Sequence, residues 1–301
     1  MKDFVTQAKE FTNINSTYTL NDGNRIPCVG FGTWKIRENE NGEQIILDAI
    51  NSGFRHFDSA ALYKSETSIG KAIKKSGVPR DQIFITTKVW KDDLCPEKAR
   101  LSLENSLRDL QTDFVDLLLI HWPKASKKDN KWQNKLASTW SEFIKMRSEG
   151  IVKSIGVANF LPHHFAALQS DILPCINQIE FHPGYLQEEA YEYSVKHNIL
   201  IEAWRPLGQG GLINNDKLKD IAAHHNKTAA QILLRYSLQR VVLPLPKTTH
   251  IDRMLENQKL FDFTLSEEEM AELNNLPLCA WSGEHPDTAI PWDDSERSRP
   301  Q

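Results

Sequence analysis

The chain has 301 residues, 40 % hydrophobic and 25 % charged, which is the make-up of an ordinary folded protein rather than a fibrous or disordered one. A formal charge of −4 leaves no cationic surplus for phosphate neutralisation, which argues against nucleic acid as a partner. The four cysteines, Cys28, Cys95, Cys175 and Cys279, form no C-x-x-C pair, so neither a zinc site nor a disulfide framework is indicated and a cytoplasmic location is expected.

The first fifteen residues, MKDFVTQAKEFTNIN, lack the apolar core of a signal peptide and the arginines of a transit peptide. They are expected to be a disordered or loosely docked tail, with residues 16–301 forming a single domain. No apolar run approaches the ~20 residues of a membrane span, so no membrane partner is expected. Next comes YTLNDGNRIPCVG, whose Asp22-Gly23 turn between short extended runs predicts a hairpin.

From there short apolar runs alternate with helical patterns. Strands are predicted at Phe54–Asp58, Ile83–Lys88, Val115–His121, Ile151–Val157, Cys175–Phe181, Ile199–Trp204, Val241–Leu243 and, least clearly, Phe261–Phe263. Between them, Ile69 and Ile73, or Leu103, Leu107 and Leu110, recur at helical spacing. Strands alternating with helices pair in parallel, and eight of them predict an α/β fold, a closed (β/α)8 TIM barrel with the hairpin closing its floor. In VVLPLPK, Pro244 and Pro246 cannot donate ladder hydrogen bonds, so regular pairing should stop early there. The competing doubly wound dinucleotide fold would need G-x-G-x-x-G, and both Gly30-Phe31-Gly32 and Gly208-Gln209-Gly210 lack the last glycine.

The first three predicted strands end on Asp58, Lys88 and His121, about one βαβ unit apart. In a barrel such ends share one rim, where active sites of this architecture lie, and Tyr63 would overhang them from the first loop. Ser65 is a candidate N-cap for the next helix and Glu66 suits its first turn. A phenol beside an ammonium ionises more easily, while burial and the Asp58 charge oppose this. A net Tyr63 pKa of roughly 7 to 9 is expected, suited to a general acid. Such a site protonates a carbonyl oxygen while another agent attacks the carbon.

GFRHFDSAALYKSETSIG, FITTKVW and LLLIHWP, together with the later segments below, resemble the aldo-keto reductases, NADPH-dependent carbonyl reductases on a (β/α)8 barrel. The similarity runs from about Tyr18 to about Glu284. It implies that Tyr63 donates the proton, that Lys88 and Asp58 tune it, and that His121 orients the substrate.

The resemblance also implies NADPH or NADP+ as the cofactor, extended across the rim. In GIVKSIGVANF, Asn159 matches a contact to the nicotinamide amide, but Ala158 stands where the family has serine, so one hydrogen bond is lost. Gln178 in INQIEFHP would bracket the same amide, and Trp204 in IEAWRPLGQGGL would stack on the ring in place of a tyrosine. Arg205 replaces a small residue and is expected to reach the pyrophosphate, under a loop carrying Leu207, Gln209 and Gly211. In FGTWK, Gly32, Thr33 and Trp34 are assigned to the cofactor with Asp58. PKTTHIDRMLEN resembles the segment that grips the adenosine 2′-phosphate through Lys247, Thr248, Thr249 and Arg253, with Glu256 and Asn257 meeting the adenine.

By the same analogy Trp34, Trp90, His121 and Trp122 wall a small-carbonyl pocket. Trp281 sits on a C-terminal lid, LCAWSGEHPDTAIPW. Short-tailed microbial relatives reduce small aldehydes, diketones and keto acids or esters, so that class is expected, acted on by a monomer with a dimer as the alternative. The pairs His163–His164 and His224–His225 show no third ligand in the pattern and are expected on the surface without metal. Two rival readings are a Schiff-base aldolase using Lys88 and a non-catalytic NADPH-binding sensor or structural protein.

Overall fold

The computed structural model describes residues 3–37, 41–288 and 290–291. The segment expected to be loose carries a short helix, α1 (Phe4–Ala8), capped by Asp3. The Gln7 side chain accepts the Thr19 amide at 2.6 Å, and the edges of Phe4 and Phe11 meet Tyr18. The hairpin follows as β1 (Thr17–Thr19) and β2 (Arg25–Pro27), antiparallel around the Asp22-Gly23 turn. Tyr18, Leu20 and Ile26 are buried, and Asn21 and Asn24 donate to Pro174 O and Ser154 Oγ. The latter two residues lie at the entry ends of barrel strands, so the hairpin plugs the floor.

The barrel then runs β3 (Phe31–Gly32), α2 (Gly42–Ser52), β4 (His56–Asp58), α3 (Glu66–Ser76), β5 (Phe84–Val89), α4 (Pro96–Leu110) and β6 (Val115–Ile120). It continues through α5 (Trp132–Ser148), β7 (Val152–Ala158), α6 (Pro162–Ala166), β8 (Ile176–Glu180), α7 (Glu188–Lys196) and β9 (Leu200–Trp204). Two helices, α8 (Asp216–His225) and α9 (Ala229–Gln239), precede β10 (Val242–Pro244), and α10 (Ile251–Glu256) and α11 (Glu267–Asn274) complete the order. Strands β3 to β10 pair in sequence order, each parallel to the next.

One predicted strand is replaced. Phe261–Phe263 is not extended sheet; its two phenylalanines pack as partly buried side chains on the outer layer. The eighth strand is instead the two-residue β3, whose glycine-flanked sequence carries no strand signal.

The barrel closes where β10 meets β3. Gly30 N donates to Pro244 O at 3.1 Å and Gly32 N to Pro246 O at 3.0 Å. The two prolines cannot return hydrogen bonds, so this seam is joined in one direction only, although each still accepts. Gly30 is required for the approach, since a Cβ there would lie 2.5 Å from Leu245 Cδ2 and 2.6 Å from His56 Nδ1. Both neighbours are buried, so neither can yield freely. Gly30→Ala is therefore expected to cost about 1–3 kcal/mol by overpacking. Urea unfolding should show a lower midpoint with unchanged slope.

Candidate active site

At the exit ends of the strands, β4 brings Asp58, β5 brings Lys88 and the residue after β6 is His121. The Lys88 ammonium lies 2.7 Å from Asp58 Oδ1 and 2.8 Å from Oδ2, and donates to Ser59 O at 2.8 Å. It also donates to the Tyr63 hydroxyl at 3.3 Å, and that hydroxyl is 3.5 Å from His121 Nε2. Tyr63 reaches this point from a 3₁₀ turn, Ala61–Tyr63, that ends with Lys64 in the left-handed region. Ser65 occupies the N-cap position of α3 but makes no capping bond. Its Oγ instead meets Thr33 Oγ1 and Ser59 Oγ, each at 2.9 Å. Glu66 lies in the first turn as expected, buried, and accepts from Thr87 Oγ1 at 2.6 Å.

The electrostatics correct the expected acidity of Tyr63. Burial raises its pKa to about 12, more than the Lys88 charge lowers it, and Asp58 adds to the rise. The ammonium still pulls the phenol down, but burial outweighs it and the Asp58 carboxylate cancels part of its effect. Burial alone would strip charge from Lys88, yet the Asp58 carboxylate and the phenol hold its pKa above the ordinary value. With its donors committed to Asp58, Ser59 and Tyr63, Lys88 is a poor Schiff-base amine, which needs a free lone pair. Burial, then the Lys88 charge, depresses His121 well below the usual imidazole range, so it is neutral near pH 7.

Beneath this group is a residue the sequence did not single out. Glu202, on β9, is fully buried. Gln178 Nε2 donates both to Asp58 Oδ1 at 2.8 Å and to Glu202 Oε2 at 2.6 Å. Burial, then the Asp58 charge, lifts Glu202 to about 8. A polar residue at an inward strand position is the signal that would have found it, since Ile201 and Ala203 flank it.

A single cavity of about 670 Å³ extends from this cluster. Trp34, Trp90 and Trp122 border it beside Tyr63 and His121; Asn159, Gln178 and Trp204 follow along the rim. Arg205, Leu207 and Gln209 line the next stretch, and Lys247, Thr248, Arg253, Glu256 and Asn257 the far end, with Gly32 and Lys35 on the opposite side. Five assigned residues lie outside this lining, and one of them is Lys88, which is wholly buried against Asp58. Thr33 is turned inward, donating to Asp58 O at 2.9 Å; Thr249 faces outward; Gly211 packs by Ala280. Trp281 stacks by Tyr185 and donates to Glu284 O, whereas Glu284 and Pro291 do line the cavity.

Asn159 and Gln178 are already engaged. Asn159 sits at φ 61°, donates to His121 O at 3.0 Å and accepts the Trp204 indole N–H at 2.9 Å. One N–H and one lone pair remain on its amide for a ligand. The indole bond fixes the Trp204 ring in a plane beside the cavity, and the Arg205 guanidinium lies 5.5 Å over it. The C-terminal loop is anchored across the rim where Ser282 binds the Glu180 carboxylate through both N and Oγ. Of the predicted lid, residues 289 and 292 lie outside the described residues.

The histidine pairs depart from expectation. His164 is fully buried, and each pair has a third group: Asp287 stands against His163 and His164, and Glu269 against His224 and His225. The carboxylates come from distant segments, which is why local spacing could not show them. Among the described residues no helix is long and apolar enough to cross a membrane.

The chain is similar to known proteins over most of its length. The chain is 40 % identical over 281 residues to a glyoxal reductase of Bacillus subtilis, covering 93 % of this chain and 99 % of that protein. It is 39 % identical over 261 residues to a methylglyoxal reductase of Yersinia pestis, covering 85 % and 91 %. A Bombyx mori aldo-keto reductase solved in complex with NADP superposes with a TM-score of 0.78 at 34 % identity, over 86 % of this chain and 91 % of that one. The aldo/keto reductase family model matches residues 28–277, and the chain belongs to that family.

Proposed function

We propose that this protein reduces small aldehydes and α-dicarbonyls to alcohols with NADPH, Tyr63 acting as the proton donor. The observation that carries this reading is the continuity of one cavity, from the Tyr63–Lys88–Asp58–His121 cluster to the cations Lys247 and Arg253. The donor set suits a phosphorylated dinucleotide: Lys247, Thr248 and Arg253 at one end present charge and hydroxyl to a phosphate, and the free valences of Asn159 suit a carboxamide. Trp204 offers an aromatic face beside Asn159, and Arg205 is placed for the pyrophosphate. Reduced nicotinamide bound there supplies the hydride for the carbonyl carbon.

The residues of the chain manage the proton. A substrate carbonyl oxygen placed between Tyr63 Oη and His121 Nε2 receives two hydrogen bonds, the neutral imidazole donating if its proton is on Nε2. The phenol, fully protonated at neutral pH, transfers its proton to the developing alkoxide. An O–H bond breaks on Tyr63 and one forms on the alcohol. Lys88, kept charged by Asp58, stabilises the phenolate until solvent reprotonates it. Trp34, Trp90 and Trp122 make a narrow apolar mouth that excludes water and favours small substrates, which suits the glyoxal and methylglyoxal reductases among the relatives.

Tyr63→Phe should lower kcat with small aldehydes by about 10²–10⁴-fold, leaving NADPH binding by fluorescence unchanged. Undiminished turnover would remove Tyr63 from the mechanism. Arg253→Ala should raise the Michaelis constant for NADPH by about 10- to 100-fold with little change for NADH, because a charge-assisted phosphate contact is lost. Equal constants for both cofactors in the unmodified protein would refute the phosphate assignment.

Glu202 makes a pH prediction. Its pKa rises from 4.5 to about 8 on folding, so between those values the unfolded chain releases a proton that the folded chain keeps. The group therefore removes stability as pH climbs through that window. Glu202→Gln should gain stability relative to the parent at pH 8 compared with pH 5, measured by denaturant unfolding. An equal difference at both pH values would show that Glu202 ionises normally.

A further inference from the structure

In the outer layer, helix α8 ends in His224 and His225, and helix α11 starts opposite them. His224 Nδ1 is 2.8 Å from Glu269 Oε1, and His225 Nε2 is 2.9 Å from both Glu269 oxygens. The carboxylate is held in place independently: the Ser266 amide donates to Oε2 at 2.7 Å, and Ser266 Oγ accepts the Glu269 amide at 3.2 Å, a reciprocal cap. His224 is exposed while His225 is half-buried against Phe263. The nearby Lys227 ammonium is occupied by Asp262 at 2.6 Å.

We propose that His224, His225 and Glu269 form a binding site for a divalent transition metal of the zinc type, bridging α8 and α11. Two imidazoles and a carboxylate are the ligands such ions prefer. With metal–ligand distances of about 2.0–2.1 Å, tetrahedral ligands stand about 3.3 Å apart. The carboxylate needs to retreat by only about half an ångström from the two rings. As the ion enters, each neutral ring gives up the proton it shares with Glu269 and takes one from solvent on its other nitrogen, so it ligates as neutral imidazole. The bond from Ser266 to Oε2 then serves as the outer contact that orients the ligating carboxylate. The exposed side, by His224, leaves a fourth position to water.

The superficially similar cluster of His163, His164 and Asp287 does not qualify. His164 Nδ1 accepts the Leu161 amide at 3.0 Å, so the neutral ring carries its proton on Nε2, the atom facing Asp287. The Lys124 ammonium, 3.1 Å from the same carboxylate, already supplies a cation there.

The test is calorimetric titration of the full chain, stripped with a chelator, with ZnCl2, followed by thermal unfolding with and without zinc. One saturable site is expected, with a rise in unfolding midpoint. His224→Ala, at an exposed position, and Glu269→Gln, which preserves the cap, should each weaken binding by more than about tenfold and abolish the midpoint rise. The proposal is overturned by an absence of saturable uptake, or by uptake indifferent to both substitutions. It is equally overturned if uptake is lost on His163→Ala or on alkylation of Cys95 and Cys279, which would place the ion elsewhere.

Discussion

The Lys88–Asp58 ion pair is the constraint around which the interior of the barrel is organised. Both side chains are almost wholly withdrawn from solvent, at 0 % and 6 % exposure. Burying two charges is costly unless every lone pair and proton finds a partner. Here Ser59 O, the Tyr63 hydroxyl and the Gln178 amide complete the set. Removing either charge would strand the other in a low-dielectric interior, which explains why a polar layer persists inside a barrel that also holds Phe84, Leu117 and Leu119. The pair also sets its neighbours: His121 and His56 are held neutral by burial and by the ammonium, and Glu202 keeps its proton beside the Asp58 charge.

The consequence for chemistry is different from simple activation of the phenol by a cation. A phenol with a pKa near 12 is present in its acid form at any physiological pH, so under the mechanism proposed above the donor is always loaded. The ammonium would then matter after transfer, when it faces a phenolate and no longer a neutral hydroxyl. Preorganised charge aimed at a developing anion is more effective than a shifted ground state, because it acts where charge appears. Pairing with Asp58 keeps Lys88 charged at the moment it is needed.

Much of the site was legible because the rule that brings its residues together is short-range. Asp58, Lys88 and His121 each end a strand of a repeating unit, and parallel closure places such ends on one rim whatever lies between them. The barrel strands were found to within a few residues, except the last. Phe261–Phe263 has strand-like residues but lies on the outer layer, while Phe31–Gly32 joins the sheet through backbone geometry that a glycine-rich stretch does not advertise. The tryptophan bonded to Asn159, the inward role of Thr33 and the carboxylate partners of the two histidine pairs depend on contacts between segments far apart in sequence. Local spacing holds no record of them. The Tyr63 pKa departs from expectation for a related reason: burial, its largest cause, is set by packing between segments far apart in sequence.

The one-way seam between β3 and β10 places an uneven load on the barrel. Six junctions are knit from both sides, as is the one between β9 and β10, where Leu245 donates back to Ala203. Among the described residues, the backbone bonds of the last come from two glycine amides, so breathing of the cylinder should be greatest there. Lys247 and Thr248 leave that edge directly, with only Leu245 and Pro246 between them and the proline-bearing strand. An anion clasped by those two residues would splint the weakest stave of the cylinder, so occupancy of the cavity and stiffness of the fold would rise together.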